Sequence, residues 1–421
     1  MVGMTTATKP ATKPASARTG DLLDDARAIL PDITEIRRRI HRHPELGLDL
    51  PKTQAVIVEE LTRLGLKPRT GKGLSSVTAV IGAERPGRTI VLRGDMDGLP
   101  LTEETGLEFA SEVEGRMHAC GHDTHVSMLL GGARLLVERW RADPESLPGP
   151  VLLMFQPGEE GHFGARVMLE EGLLDGAAGT KPLTPANAKA MAIHIGTEYP
   201  TGEIRLRPGA MQASGDNIFI TVKGSGGHAS APHNAKDPIT VAAEIVLALQ
   251  VAVTRSVDAF DPAVLTIAHM RSGTTTNIIP ETATIEGTFR TVSAERRAMM
   301  LPLVERVAKG IAAAHGVEVE VRHVELYPVT VNDDGVAAEI MALAANLVGE
   351  DNAVPMKAPI MGAEDWSYVL QRIPGAMVFL GARPRDRELA GYPMNHSNLV
   401  VFDEAAMAVG AALYAKAALE L

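Results

Sequence analysis

The chain has 421 residues, of which 45% are apolar, and a formal net charge of -11. That length suits two ordinary domains or one large α/β domain with an insertion, and the apolar share supports a sizeable core. The acidic balance argues against a nucleic-acid binder, which needs clustered Lys and Arg; the single cysteine excludes an intramolecular disulfide framework; and no apolar run reads as long enough to cross a membrane.

Residues 1–20, rich in Thr, Ala, Lys, Pro and Ser, are expected to be a disordered tail, without the apolar stretch of a secretory signal. Apolar residues at helical spacing (Leu22, Ala26, Ile29, Ile33, Ile36, Ile40) predict one helix from Asp21 to Arg42. A second helix is predicted from Gln54 to Leu64, stopped by Gly65. Val77 to Ile81 and Thr89 to Leu92 predict strands, the second ending at Arg93-Gly94-Asp95-Met96-Asp97-Gly98. A helix follows over Asp123 to Trp140. The strand Val151 to Phe155 runs into Gln156-Pro157-Gly158-Glu159-Glu160-Gly161, and a strand from Ala190 to Ile195 ends at His194. Strand, polar cluster, helix, repeated, is the pattern of a largely parallel α/β sheet with ligands beyond the carboxyl ends of its strands.

The middle of the chain differs. Asp216 to Val222 alternates, a Gly-rich stretch covers Gly224 to Gly227, and a helix is predicted from Pro238 to Thr254. Strands at Val264 to Met270 and Thr282 to Arg290 precede a helix near Ala294 to His315 and a strand at Val317 to Val324; Pro302 marks either a kink in that helix or its true start. Two helices with four alternating strands predict a small α+β domain over 208–326, inserted into a larger α/β domain made of 21–207 and 327–421.

The chemistry centres on Met117-His118-Ala119-Cys120-Gly121-His122-Asp123-Thr124-His125. A thiolate and an imidazole two residues apart are soft and borderline metal ligands. Cys120 alone reads as a ligand, a nucleophile or, most often for a lone cysteine, a small buried hydrophobe, in a chain suited to a reducing cytosol. Glu160, His194 and His396, each where a strand or apolar run gives way to a loop, complete a candidate ligand set with Cys120 and His122. Glu159-Glu160 taken alone could equally be two charges at a helix start. His118 and His125 remain open between site lining and plain structure, and His41 and His43 between structure and pocket lining.

Seven motifs in order carry a family resemblance: Gly-Asp-Met-Asp (94–97), Met-His-Ala-Cys-Gly-His-Asp (117–123), Gln-Pro-Gly-Glu-Glu-Gly (156–161), His-Ile-Gly (194–196), Gly-His-Ala-Ser-Ala-Pro-His (227–233), Asn-Ile-Ile-Pro (277–280) and Gly-Ala-Glu-Asp-Trp (362–366). From about residue 30 to 420 the chain resembles the metal-dependent aminoacylase and carboxypeptidase family. Within it, the likeness is to the amidohydrolase branch of hippurate hydrolases, N-acyl-amino-acid deacylases and auxin-conjugate hydrolases.

The resemblance implies an α/β dinuclear-metallopeptidase domain with an inserted α+β dimerisation domain. It implies two divalent metal ions (Zn, Mn, Co or Ni) held by Cys120, His122, Glu160, His194 and His396, with Glu159 as the catalytic carboxylate. By the same resemblance Asp97 orients a ligand histidine, His228 reaches the partner subunit's active site, and Asn277 and Arg290 lie near the substrate carboxylate. Asp95 stands where wider relatives carry a histidine ligand and is left out of the set. Gly158 replaces a frequent alanine, and the stretch Asp175 to Lys189, longer than in the family, is expected to be able to reshape the pocket mouth.

The function implied is a cytoplasmic, homodimeric or tetrameric amidohydrolase cleaving small N-acyl amino acids. The alternatives are a dipeptidase or carboxypeptidase acting on a true peptide bond, a non-catalytic metal-binding protein, and a thiol enzyme using Cys120.

Overall fold

The structure is a computed structural model that describes residues 21–421; the tail expected over 1–20 lies outside the described residues. An eight-stranded sheet forms the main body, in the order Arg69–Thr70, Val77–Ile81, Val151–Gln156, Thr89–Asp95, Ala188–Pro200, Gly375–Arg383, Ile204–Leu206, Ala353–Pro355. Its centre is parallel: Thr89–Asp95 runs with Val151–Gln156 and Ala188–Pro200, which runs with Gly375–Arg383. Antiparallel pairing appears toward both margins. Every residue of Thr89–Asp95 and Val151–Gln156 is buried, as continuous apolar strands covered on both faces must be.

Helices His122–Ala142 and Ala406–Glu420 pack together on the sheet. The helix expected over 21–42 is two, Asp21–Ala28 and Leu30–His41. Pro31 is the reason: it lacks an N–H and is at home only in a helix's first turn. The strand expected to end at His194 continues to Pro200, because Gly375–Arg383 keeps pairing with it beyond that point. The stretch 175–189 leads into this strand and meets the start of Thr89–Asp95, where Thr89 N–H donates to Asn187 O at 2.9 Å. Parallel alignment puts it at the end of the sheet opposite the candidate ligands, so it does not shape the pocket mouth.

A second sheet, in the order Ala263–Ser272, Thr282–Thr291, Asp216–Lys223, Glu318–Glu325, is covered by helices Pro238–Ser256 and Ala294–Ala314 and has its own apolar core around Ile220, Ile245, Ile285 and Val304. Pro302 lies inside Ala294–Ala314 and does not start it; Ser293 does, its hydroxyl accepting from Arg296 N–H. One expectation is corrected here. Pro238–Ser256 is long and apolar enough, by length and composition, for a membrane span. It buries Val241, Ala242, Ile245 and Leu249 against the sheet while leaving Leu247 and Val251 exposed.

Candidate active site

The site lies where the central strands give way to loops. Gly121, at φ 87°, turns the chain from Cys120 into the helix that begins at His122. A side chain there would meet Ile195 at 2.4 Å, so only glycine lets this turn close on the neighbouring strand. Gly158, at φ 71°, makes the turn after Val151–Gln156 that presents Glu159 and Glu160. A Cβ there would also meet Leu48 Cδ2 at 2.5 Å.

The five candidate ligands converge. Cys120 Sγ is 3.4 Å from His194 Nε2 and 3.3 Å from His396 Nε2, which is also 3.3 Å from Glu160 Oε1. Cys120, His122 and His194 form one group of mutually close donor atoms; Cys120, Glu160 and His396 form another; and His122 joins Glu159 and Glu160 in a third. Donors about 2.0–2.3 Å from a shared tetrahedral ion stand roughly 3.5 Å apart, so these separations fit. Both ring nitrogens of His122 are buried without a hydrogen-bond partner, a state that costs free energy unless a cation satisfies it. His194 Nδ1–H donates to Ile195 O at 2.8 Å, which leaves Nε2 free to ligate. The residues therefore fit a pair of divalent metal ions.

Among the described residues only two non-glycines have positive φ, Phe163 at 59° and His396 at 68°. Both belong to this site, as strained backbone often does. Asn395 holds the loop of His396 down by donating to Cys120 O at 3.1 Å and Ile195 O at 3.0 Å.

Charge follows the geometry. Burial opposes ionisation of Cys120, but His194 and His122 together lower the thiol to about 6. Burial likewise opposes charge on His194, yet Cys120 raises it to about 9. Hydrogen bonds to Cys120 and Glu160 raise His396 to about 10. The anionic donors thus draw protons onto the histidines; metal binding would displace those protons. Glu159 differs from its neighbour. Burial, then Glu364, Glu160 and Asp365, push it well above the usual carboxylate range, whereas for Glu160 burial is opposed by His396, His122 and Cys120, which together lower it.

Around these residues lies a buried polar frame. Asp97 accepts from the backbone N–H of Glu159 and of Glu160 and stands 3.3 Å from His122 Nδ1. Asp95 pairs with Arg93 at 2.6 Å and accepts from His125 Nδ1–H at 2.5 Å. His125 Nε2 accepts from Ile195 N–H at 2.8 Å, so His125 is a brace with both nitrogens used. His118 is buried with neither nitrogen partnered, and burial lowers it to about 3. His41 bonds Asp123 and Glu103 below the site, while His43 stands at the surface, 4.0 Å from Glu112.

Sequence reasoning assigned no role to Arg93, Gln156, Glu364, Asp365 or Tyr327. Arg93 is fully buried and bonds Gln156, Glu364 and Asp365. An arginine at the end of an apolar strand was the available signal, since a buried guanidinium demands carboxylates.

His228 and Asn277 are not brought to the ligands. They lie together in the second unit, where Gly227–His228 pairs with Ile278–Ile279 and Ala229 N–H donates to Asn277 O at 3.1 Å. Arg290, the last residue but one of the strand Thr282–Thr291, donates to Met361 O at 3.2 Å, beside the 362–366 motif.

A largely parallel sheet bearing these clustered donors defines a metal-dependent hydrolase of amide bonds. The family model described as Peptidase family M20/M25/M40 matches residues 91–420, and the chain belongs to that family. Thermostable carboxypeptidase 1 of Saccharolobus solfataricus is 39% identical over 400 residues, covering 94% of this chain and 96% of that one. IAA-amino acid hydrolase ILR1-like 2 of Arabidopsis thaliana is 36% identical over 393 residues, covering 92% and 84%. A dinuclear metal binding peptidase from the M20 family, from Bacillus subtilis, matches with a TM-score of 0.77 at 31% identity, covering 93% of this chain and 98% of that one.

Proposed function

We propose that this chain is a cytoplasmic homodimeric amidohydrolase that cleaves small N-acyl amino acids, hippurate-like or N-acetylated, into a carboxylic acid and a free amino acid. The observation that carries the reading is the division of labour between adjacent carboxylates. Glu160 lies 3.3 Å from His396 Nε2 among the candidate ligands, and Glu159, beside it in the same turn, is buried next to Glu364 and Asp365. That is the pairing a hydrolase needs, one group to bind metal and one to carry a proton. Two divalent ions, held by Cys120, His122, Glu160, His194 and His396, would supply a water of lowered pKa and polarise the amide carbonyl. Glu159 takes the proton of the attacking water and delivers it to the leaving amine. Asp97 orients His122 and aligns both glutamates.

The remaining roles belong to the unit over 208–326, which we assign to dimerisation. Its edge strand Ala263–Ser272 and the exposed Leu247 and Val251 of the adjacent helix suit pairing with a second copy. His228 Nδ1 accepts from Ser230 N–H at 3.1 Å. In the neutral ring the proton then lies on Nε2, a donor available for negative charge developing on the carbonyl oxygen of the partner's substrate. Asn277 and Arg290 are assigned to the substrate carboxylate, which the arginine fork suits.

A second reading, a carboxypeptidase acting on peptide bonds, is favoured by the 39% identity to a protein named as one. Both readings release an amino acid with a free carboxylate. The test is hydrolysis by metal-reconstituted protein of N-acetyl and N-benzoyl amino acids, dipeptides, and the same compounds with the carboxylate amidated. N-acyl amino acids should be turned over fastest and amidated compounds poorly. Faster dipeptide cleavage would establish the second reading, and no cleavage of any compound by protein loaded with two metals would reject both.

A further inference from the structure

The main body and the second unit are joined at two crossings of the chain, and the crossings are bonded to each other. Gly215 N–H donates to Tyr327 O at 2.9 Å, and Leu326 N–H donates to Gly215 O at 3.1 Å. Asp216 begins the central strand of the small sheet immediately after one crossing, and Glu325 ends its neighbour immediately before the other. Beside them is a cavity of about 520 Å³, lined by Arg297 and His323 from the small unit and by Ser367, Leu370 and Gln371 from the main body.

Tyr327 extends from this junction into the active site. Its buried hydroxyl donates to Glu159 O and accepts from Gly161 N–H at 2.7 Å. The ring is held edge-on by Phe163 at 5.3 Å and Tyr368 at 6.3 Å, and Tyr368 in turn donates to Leu326 O at 2.6 Å. One rigid side chain therefore has its backbone in the interdomain junction and its hydroxyl in the turn that carries Glu159.

We propose that Tyr327 is a positioning residue for Glu159, setting the alignment of the Glu159–Gly161 turn according to the seating of the small unit at Gly215 and Leu326. This rests on the reading of Glu159 as the proton carrier. A tilt of the small unit moves Leu326 and Tyr327 together, and the hydroxyl passes that movement to the Glu159 carbonyl. Glu160 shares this turn, but its own backbone N–H is fixed by Asp97, while His194 is held by the Ile195 carbonyl and the His396 loop by Asn395. With the ligands fixed by these bonds, loss of the Tyr327 hydroxyl should shift the base and leave metal bound.

The test compares metal-reconstituted wild type, Tyr327→Phe, Glu159→Gln and the double variant on an N-acyl amino acid that the wild type hydrolyses. Phenylalanine keeps the ring contacts and removes both hydrogen bonds. Tyr327→Phe should lower kcat about tenfold, the scale of a small misalignment, with KM within about twofold and with metal content and melting temperature as in the wild type. In the Glu159→Gln background the same change should cost less than about twofold, because a residue acting through Glu159 has nothing left to align. An equal loss in both backgrounds, an unchanged kcat, or a loss that tracks missing metal would overturn the proposal. Near-normal turnover by Glu159→Gln would sink the base reading and this inference with it; an inert Glu159→Gln beside an unaffected Tyr327→Phe sinks this inference alone. Should Tyr327→Phe fold poorly, Tyr368→Phe releases Leu326 O instead, and the proposal then requires its kcat to fall only where Glu159 is present.

Discussion

Asp97 receives the backbone N–H of Glu159 at 3.0 Å on one carboxylate oxygen and that of Glu160 at 3.0 Å on the other. The carboxylate so fixed also stands 3.3 Å from the ring of His122. One side chain thus orients a candidate ligand and the turn that carries the other two carboxylates. Asp97→Ala is expected to weaken metal binding by about ten- to a hundredfold, the scale seen when a group behind a ligand is lost, and to lower kcat as well. Asp97→Asn, which keeps one acceptor oxygen, should lose less. Metal titration followed by calorimetry measures this, and wild-type affinity in Asp97→Ala would mean that the turn holds itself.

The two glutamates should fail in different ways. Glu159→Gln is expected to keep both metals and lose roughly a hundredfold or more in kcat, as removal of a general base does. Glu160→Gln should lose metal first and activity in consequence. Elemental analysis beside turnover separates the cases; a Glu159→Gln chain with full metal and near-normal turnover would remove Glu159 from the chemistry.

Cys120 is the one thiol in the chain, so labelling reports on it alone. With metal bound, its sulfur should react slowly with thiol reagents. After chelation, a thiol lowered to about 6 is largely thiolate at neutral pH and should react faster. Equal rates before and after chelation would count against ligation.

His41 gives a pH test of stability. Burial disfavours its charged form, but Asp123 and Glu103 outweigh burial and raise it. A group raised in the folded state contributes stability that is complete below its unfolded value of about 6.5 and is lost as pH climbs through the folded value. The melting temperature of wild type should therefore exceed that of His41→Gln by more at pH 6 than at pH 9, with metals retained at both. A constant difference would show that His41 contributes packing alone.

For assembly, His228→Ala and Glu159→Gln chains should each be nearly inactive. Mixed after subunit exchange, they should recover activity, because each heterodimer combines an intact Glu159 and an intact His228 in one of its two sites. Random exchange gives about a quarter of all sites this combination. Verified heterodimers that stay inactive would return His228 to its own unit's fold.

The parallel core was legible because buried parallel strands are written as unbroken apolar runs, such as Val151 to Phe155, with their chemistry just beyond. The donors around Cys120 were legible because metal chemistry restricts residue type. The break at Ile29 was announced by Pro31 and outweighed by apolar periodicity that both helices share. The continuation past His194 was not legible, since it depends on pairing with residues 375–383. Nor was the clamp of Tyr327 on Glu159, a contact between residues 168 apart in the chain; periodicity and local spacing carry no trace of it.

The strand Gly375–Arg383 lies between Ala188–Pro200 and Ile204–Leu206, which precede it by well over a hundred residues of synthesis. On the ribosome, Ala188–Pro200 therefore waits for its partner while the entire small unit is made and can fold. During that interval Cys120, His122, Glu160 and His194 exist without His396, and an apolar strand edge stands open. The nascent chain is thus exposed to misassembly for longest where the finished enzyme is most deeply buried, and the last of the proposed ligands arrives with the segment that ends that exposure.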